Sequence, residues 1–577
     1  MEKQVYDFIA AQTGEKIVER KKCPGCGQEF AITDKDLEFY KKISPVFNGT
    51  KYEIPAPTLC PDCRNQRRLT RRNERRLYKR KCDLTGRIMV SIYAPESPYV
   101  VYNQTDRWWD NWNAMDYGRD FDFARPFFQQ FNDLMLQVPR MSITNEGSEN
   151  SEYTNQSGNN KNCYMLTSSS FQENSLYWHW CQKWKFNVDS LLTEWSEEIY
   201  QSINIKNWYK NFYCISLNNC SNCYYCDNCI SSQYCIWSTW INNWKYYILN
   251  KQVSEKEYNE CLEKLFIDKN FYQQFLTDYN NLKKEIPHKY YIWFWNEGFA
   301  GDYVINCKDT YYSFNTRNCE NIKYCNDAWD EQNSYDFTET LDDKFCYELQ
   351  WSATSNKSAF VSQVWYLTDC FYCNLCFYSS NLFGCIWLRN KQYCILNKQY
   401  TKEEYEELVP KIIEKMKETW ERWEFFPANI SLFSYNESVA IEYFPLSKEE
   451  SLKKWYKRQD KEYPINVPDW IELVRAQDLP EDIHDVDDEI LKKAVVCEVS
   501  GKPFRIVKPE LEFYRKHNLP LPRKHPDVRH LERMSKRAPR QLYLRECDNC
   551  GKQVVSVYPA DSEFKVYCEE CYNKETY

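Results

Sequence analysis

Through the middle of the chain, asparagine or cysteine followed by an aromatic residue recurs about every 12 positions. That spacing matches neither the 3.6-residue period of a helix nor the alternation of a half-buried strand. In the second half the marked positions are Ile322, Tyr335, Tyr347, Phe360, Phe371, Phe383 and Tyr393. Two such units predict a coil of about 24 residues, the size of a parallel β-helix turn, in which each short strand pairs with the same strand one coil above. Cysteine, phenylalanine and tyrosine are expected to stack inside, and asparagine to hydrogen-bond along the turns. Residues 246–258 (YYILNKQVSEKEY) and 393–405 (YCILNKQYTKEEY) repeat at an offset of 147, which also superposes Cys223, Cys226 and Cys229 on Cys370, Cys373 and Cys376. The coil is therefore expected to be duplicated.

Helical interruptions carry their own signals. Ser254-x-x-Glu257, Thr401-x-x-Glu404 and Ser447-x-x-Glu450 are capping boxes. They predict helices over 254–286 and over 401–425, the second bent at Pro410, and a short one from 447.

Cysteine spacing changes the picture at both ends. Cys23-x-x-Cys26 and Cys60-x-x-Cys63, with 33 residues between them, and Cys547-x-x-Cys550 and Cys568-x-x-Cys571, with 17 between them, have the pair–loop–pair layout of four-thiolate zinc ribbons. Two structural Zn²⁺ are expected; four protein ligands leave no open position for a substrate. The two ends are copies. Residues 80–102 align with 545–567 at an offset of 465, and Leu-Glu-Phe-Tyr occurs at 37–40 and 511–514. Each copy lacks the site that the other keeps: Thr85, Asn103 and Asp106 stand where ligands are expected, as do Ser500, His525 and Val528, leaving Cys82 and Cys497 as orphans. These complementary losses suggest that the end cassettes touch.

The fold class is thus mainly β: a duplicated parallel β-helix-like solenoid with helical insertions, flanked by N- and C-terminal zinc-ribbon cassettes. The expected organisation is a cassette over 1–140, a first solenoid half over 141–250, a helical interruption over 251–300, a second half over 301–400, closing helices over 401–460 and a second cassette over 461–577.

Ten cations and one acid lie in residues 64–81. Arg64, Arg68, Arg72, Arg76 and Arg80 step by four, as do Arg67, Arg71, Arg75 and Lys79, which on one helix gives a basic face about 25 Å long. The C-terminal parallel is Arg529, Arg533, Arg537 and Arg540. Such a face suits phosphate contact. It equally suits docking on an acidic surface of the same chain, which has 83 acidic residues and a net charge of −8. Trp108, Trp109 and Trp112 either stack bases or fill the core of the degenerate ribbon. Cys220-x-x-Cys223-x-x-Cys226-x-x-Cys229 reads as small buried side chains in the coil, with an iron–sulfur cluster as the alternative.

Cys60-Pro-Asp-Cys63-Arg, Arg72-Asn-Glu-Arg75, residues 117–128 (YGRDFDFARPFF), 390–397 (NKQYCILN) and 435–440 (YNESVA) resemble zinc-ribbon proteins of small-genome, uncultivated bacteria often labelled "caib/baif family". The resemblance spans most of the chain and implies no activity; the label names a CoA transferase, for which no residue here speaks. No run of 18 apolar residues, signal peptide or glycine-rich phosphate loop occurs, so the expected setting is cytoplasmic, without a membrane or an identified small-molecule substrate.

The expected function is a non-enzymatic zinc-binding scaffold that grips structured RNA or a ribonucleoprotein through its arginine-rich cassettes. The alternative is a protein-interaction scaffold using the aromatic coil surface. Third comes an enzyme acting on carbohydrate in the coil's cleft, with Asp327, Asp330, Glu331 and Asp336 as the available carboxylates. No catalytic residue is assigned.

Overall fold

In the computed structural model nearly every third residue over 150–250 and 295–397 has a left-handed backbone, and the two between are extended. Tyr213, Ser216, Asn219, Asn222, Tyr225 and Asn228 hold φ between +51° and +63°. The structure describes all residues except Met1, residues 108–111, Glu462, Pro464, Asn466 and Tyr577. Trp108 and Trp109 thus lie outside the described residues.

Each left-handed residue turns the chain a corner, so every third side chain faces inward. Cys214, Leu217, Cys220, Cys223, Cys226 and Cys229 are all buried, as are Ile322, Cys325, Ala328, Glu331, Ser334 and Phe337. Parallel pairing joins residues 12 apart: Leu191 with Ile203, Ser221 with Gln233, Tyr335 with Tyr347, Trp365 with Phe377. One coil therefore takes 12 residues rather than the 24 expected from the sequence. The four inward positions of its bore hold many small side chains, cysteine, serine, threonine, valine and alanine, packed around fewer large ones such as Leu217, Ile322 and Phe337. The aromatic residues, expected inside, stand mostly outside. They stack in columns at the corners, as in Tyr213–Tyr225–Trp237, whose rings are 4.5 and 4.4 Å apart. Corner asparagines hydrogen-bond from coil to coil, Asn306 to Asn318 and Asn318 to Asp330 at 2.9 Å each.

Two such ladders run from Asn145 to Gln252 and from Trp293 to Gln399. Between them, helices Glu255–Leu265 and Lys269–Glu285 lay Tyr272 and Tyr279 edge-on against Trp237 and seal that column. Helix Lys402–Glu418 carries Pro410 inside it and buries Tyr405, Val409, Ile412 and Met416 against the second ladder.

The cassettes bridge the ladders. Val101–Tyr102 of the N-terminal cassette pairs with Arg140–Met141 at the start of the first ladder. Its helix Pro61–Leu69 packs against the second. The C-terminal cassette reverses this: Lys565–Tyr567 pairs with Pro287–Lys289 before the second ladder, and helix Pro526–Ser535 lies on the first. The cassettes also touch each other. Cys23, Cys60 and Cys63 share a core with Leu542, Val555 and Val557, and Arg75 meets Asp527 at 3.3 Å.

The basic segment is not one helix over 64–81. It is helical only to Leu69, and Tyr78–Lys81 is a strand paired with Ile88–Ser91. The break is local: the Asn73 side chain accepts from the Arg76 amide at 2.9 Å and donates to the Ile92 carbonyl at 2.8 Å, turning the chain into the hairpin.

Candidate metal centres, arginine clamps and the cleft between the ladders

The knuckles that begin at Cys23, Cys82, Cys497 and Cys547 share one backbone turn. Gly27, Gly86, Gly501 and Gly551 hold φ between +66° and +78°. Their amides donate to the carbonyls of Cys23, Cys82, Cys497 and Cys547 at 2.8–3.0 Å. Around Cys23, Cys26, Cys60 and Cys63, and around Cys547, Cys550, Cys568 and Cys571, the sulfurs all lie within 4.8 Å of one another, so each group can hold a metal ion. Backbone amides already face the sulfurs: Cys60 N–H to Cys23 Sγ at 3.3 Å, Cys568 N–H to Cys547 Sγ at 3.2 Å. Hydrogen bonds with Cys60 and Cys63 push the Cys23 thiol down, while those with Cys23 and Cys60 push Cys63 up. A Cβ at Gly25 would stand 3.1 Å from Cys63 Sγ and crowd that ligand. Four convergent sulfurs with amides turned toward them fit a tetrahedral metal.

The two orphan knuckles keep the turn without the ligands. The Asn103 amide faces Cys82 Sγ at 3.2 Å and the Ser500 amide faces Cys497 Sγ at 3.4 Å. His525 Nδ1, where the other copy has Cys60, accepts from the Asp527 amide at 3.1 Å and caps its helix. Trp112 packs edge-on to Tyr102 at 6.2 Å, inside the degenerate module.

The inner cysteines are not a third metal centre: among the described residues only the two end groups bring their ligand atoms together. Cys226 donates to the carbonyls of Tyr224 and Cys235 at 3.5 and 3.3 Å, and Cys229 to Asp227 and Ser238 at 3.3 and 3.5 Å. Burial pushes Cys229 up to about 12. These are protonated donors, whereas a metal requires thiolates.

The arginines point inward. Arg64 grips Asp336 with Nε and Nη2 at 2.9 and 2.8 Å, and Arg68 reaches Asp336 and Glu348 at 3.3 and 3.4 Å. Arg67 joins Glu348 and Glu424 at 3.0 and 3.1 Å. Arg71 donates to the Ile430 carbonyl at 3.2 Å and lies over Phe426, while Arg72 pairs with Glu74 and Glu339. Arg75 pairs with Asp527, and Arg80 with Asp83 at 3.0 Å. Of the nine cations expected to face phosphate, only Arg76 and Lys79 stand at the surface. For Arg64, Arg67, Arg68 and Arg72 the physical reason is neutralisation: buried Asp336, Glu339 and Glu348 on the second ladder take the place of an external polyanion.

The first ladder repeats this clamp. Arg529 and Arg533, 465 positions after Arg64 and Arg68, bind Asp189, which lies 147 positions before Asp336. Arg533 also reaches Gln201 at 3.0 Å, as Arg68 reaches Glu348. Tyr40 meets Tyr347 at 5.2 Å, and Tyr514 meets Tyr200 at 5.5 Å. Both duplications thus interlock, each cassette gripping the ladder farther along the chain from it.

The four carboxylates considered for sugar chemistry separate. Asp336 and Asp327 are held by Arg64 and Arg540, Asp330 accepts from Asn318, and Glu331 faces the bore beside Asp343. Burial raises Asp343 to about 8, and burial with the neighbouring Asp343 charge holds Glu331 well above the usual carboxylate range. No two of these four form an accessible pair of the kind that glycosidic acid–base chemistry uses.

A cleft of about 740 Å³ opens between the ladders. Trp351, Trp365 and Phe377 line one wall, with Trp365 and Phe377 stacked at 5.0 Å, and Tyr366 and Tyr378 stack beside them at 4.8 Å. Trp195 comes from the other wall. Sequence reasoning named a cleft in the coil but not these lining residues; their signal is the recurrence of aromatics 12 apart at 365/377 and 366/378. No protein-family model, curated protein or solved structure matches this chain.

Proposed function

We propose that the chain is a non-enzymatic binding scaffold: two 12-residue-coil solenoids, held side by side by zinc-ribbon cassettes that each carry one structural zinc. The observation that carries this reading is the duplicated clamp, Arg64–Asp336 and Arg529–Asp189, which ties each cassette to one ladder while a short strand of the same cassette pairs at the base of the other. Such crossed ties favour a fixed separation between the ladders and make the surface between them the recognition surface.

An RNA partner gripped by the basic segment has weaker support, because seven of its nine cations are engaged inside the molecule. Elemental analysis of the purified chain tests the leading reading. Two zinc atoms per chain are expected, with chelation exposing both cassettes to protease. A single metal atom, or iron, defeats it.

A further inference from the structure

We propose that a small divalent oxyanion, phosphate or sulfate, binds at the buried junction where Arg71, Arg140 and Lys457 meet. The site uses none of the cysteine ligands and goes beyond the scaffold reading, which survives its failure.

The first observation is charge left without a counter-charge. Of the buried arginines, only Arg71 and Arg140 have no carboxylate partner among the described residues. They are 1% and 0% exposed. Arg71 donates from Nη1 to the Ile430 carbonyl at 3.2 Å, and Lys457 donates to the next carbonyl, that of Ser431, at 2.9 Å. The Tyr99 hydroxyl reaches the same Ser431 carbonyl at 3.3 Å, and the Tyr99 ring lies under the Arg140 guanidinium, its centroid 5.2 Å away. The three cations therefore gather where the N-terminal cassette, the start of the first ladder and the closing segment meet. Burial together with the Arg140 charge pushes Arg71 down to about 9, and burial together with both arginines pushes Lys457 down to about 8. No carboxylate offsets either. Stacking on Phe426 or Tyr99 offsets a small part of what a guanidinium loses on leaving water, and it satisfies no N–H group.

The second observation is an open donor edge. Arg140 donates from Nη1 to Asn374 Oδ1 at 3.0 Å, which leaves Nε and Nη2 buried without a partner. These two atoms form one side of the guanidinium, the side with which Arg64 grips both oxygens of Asp336. Such an edge fits two oxygens of one carboxylate, phosphate or sulfate. Arg71 Nε is buried and unpartnered as well. Enclosure and charge choose among oxyanions. Arg140 is wholly enclosed, so a phosphorylated chain or a nucleic acid cannot bring its phosphate to that edge, whereas a free ion can. Three positive charges favour a doubly charged ion over acetate or chloride. Lys457, only partly buried, gives the ion its approach from solvent.

The test is equilibrium dialysis of the zinc-loaded full-length chain against labelled phosphate and, separately, labelled sulfate. Melting scans at constant ionic strength with phosphate, sulfate, acetate or chloride accompany it. One phosphate or sulfate per chain is expected, the two arms telling which ion fits, and the melting temperature should rise with that ion and not with acetate or chloride. Arg140→Lys, which keeps the charge and loses the two-pronged edge, should weaken binding by about tenfold or more. Arg71→Met should flatten the ion-dependent rise. Lys79→Met, at an exposed cation elsewhere in the cassette, should change neither readout. The proposal is overturned if neither ion binds at millimolar concentration, or if Arg140→Lys or Arg71→Met binds as tightly as the parent. It is equally overturned if Lys79→Met weakens binding as much as they do, or if acetate or chloride raises the melting temperature to the same extent. Dialysis of the parent decides the matter by itself where a variant fails to fold. Any of these results with two zinc atoms per chain removes the anion site and leaves the scaffold; a different metal content removes the scaffold and not the anion site.

Discussion

Replacing Arg64 by methionine keeps most of the side-chain volume and deletes two charge-assisted bonds, at 2.9 and 2.8 Å, to an Asp336 carboxylate with no solvent exposure. Hydrogen bonds to charged groups contribute about 1.5–3 kcal/mol each, and removing one partner of a buried pair costs about 3–5 kcal/mol because the other charge is stranded. Arg68 remains within 3.3 Å of Asp336 and compensates in part, so the lower end applies, about 3 kcal/mol or roughly a hundredfold in the folding equilibrium. Asp336→Asn introduced with Arg64→Met removes the stranded charge and should recover a large share. Urea titrations of the parent, both single variants and the double variant, followed by tryptophan fluorescence, give the coupling energy of the cycle. A matching cycle at Arg529 and Asp189 should give a coupling of the same sign. If Arg64→Met unfolds at the parent's urea concentration, or if the two changes simply add, the clamp is not what fixes the cassette to the ladder. An Arg64→Met variant that keeps its stability and loses affinity for RNA would return the segment to phosphate recognition.

Further outcomes follow from the same geometry. The folded chain holds on Asp343 a proton that the unfolded chain releases above about pH 4, so stability is fully present below that pH and declines as pH rises through about 8. Asp343→Asn should therefore gain relative to the parent between pH 5 and pH 8, by up to about 4 kcal/mol, in melting scans at the two pH values. A constant offset between the two proteins would contradict it. Rebuilding the third site with Ser500→Cys, His525→Cys and Val528→Cys beside Cys497 should raise bound zinc from two atoms to three, because the knuckle turn at Gly501 is intact. Unchanged metal content in a folded protein would show that the second pair of positions has moved apart. Cys226→Ser keeps a donor for the carbonyls of Tyr224 and Cys235 and should be tolerated, whereas Cys226→Leu overfills the bore at about 1–3 kcal/mol. Equal melting temperatures for the two would refute the packed-bore account.

The two pairs of C-x-x-C knuckles, the copied cassettes and the 147-residue duplication were legible in the chain because each depends on spacing along it. Metal ligands three apart sit on one turn, and capping boxes at Ser254 and Thr401 close within a few residues. The coil was half legible. The three-residue step was present in Cys220, Cys223, Cys226 and Cys229, but reading aromatics as interior doubled the coil, since composition does not tell an inward stack from a corner column covered by a helix. The fate of the arginines was not legible at all. A row of cations at four-residue spacing looks the same whether it meets solvent, phosphate or carboxylate. Arg64 finds Asp336 at a separation of 272 residues and Arg529 finds Asp189 at 340. Local pattern sets what a segment can pair with. Only the packed molecule, by excluding water and bringing remote carboxylates within hydrogen-bond reach, chose the partner, and the same packing left a cleft between two ladders that no stretch of sequence describes.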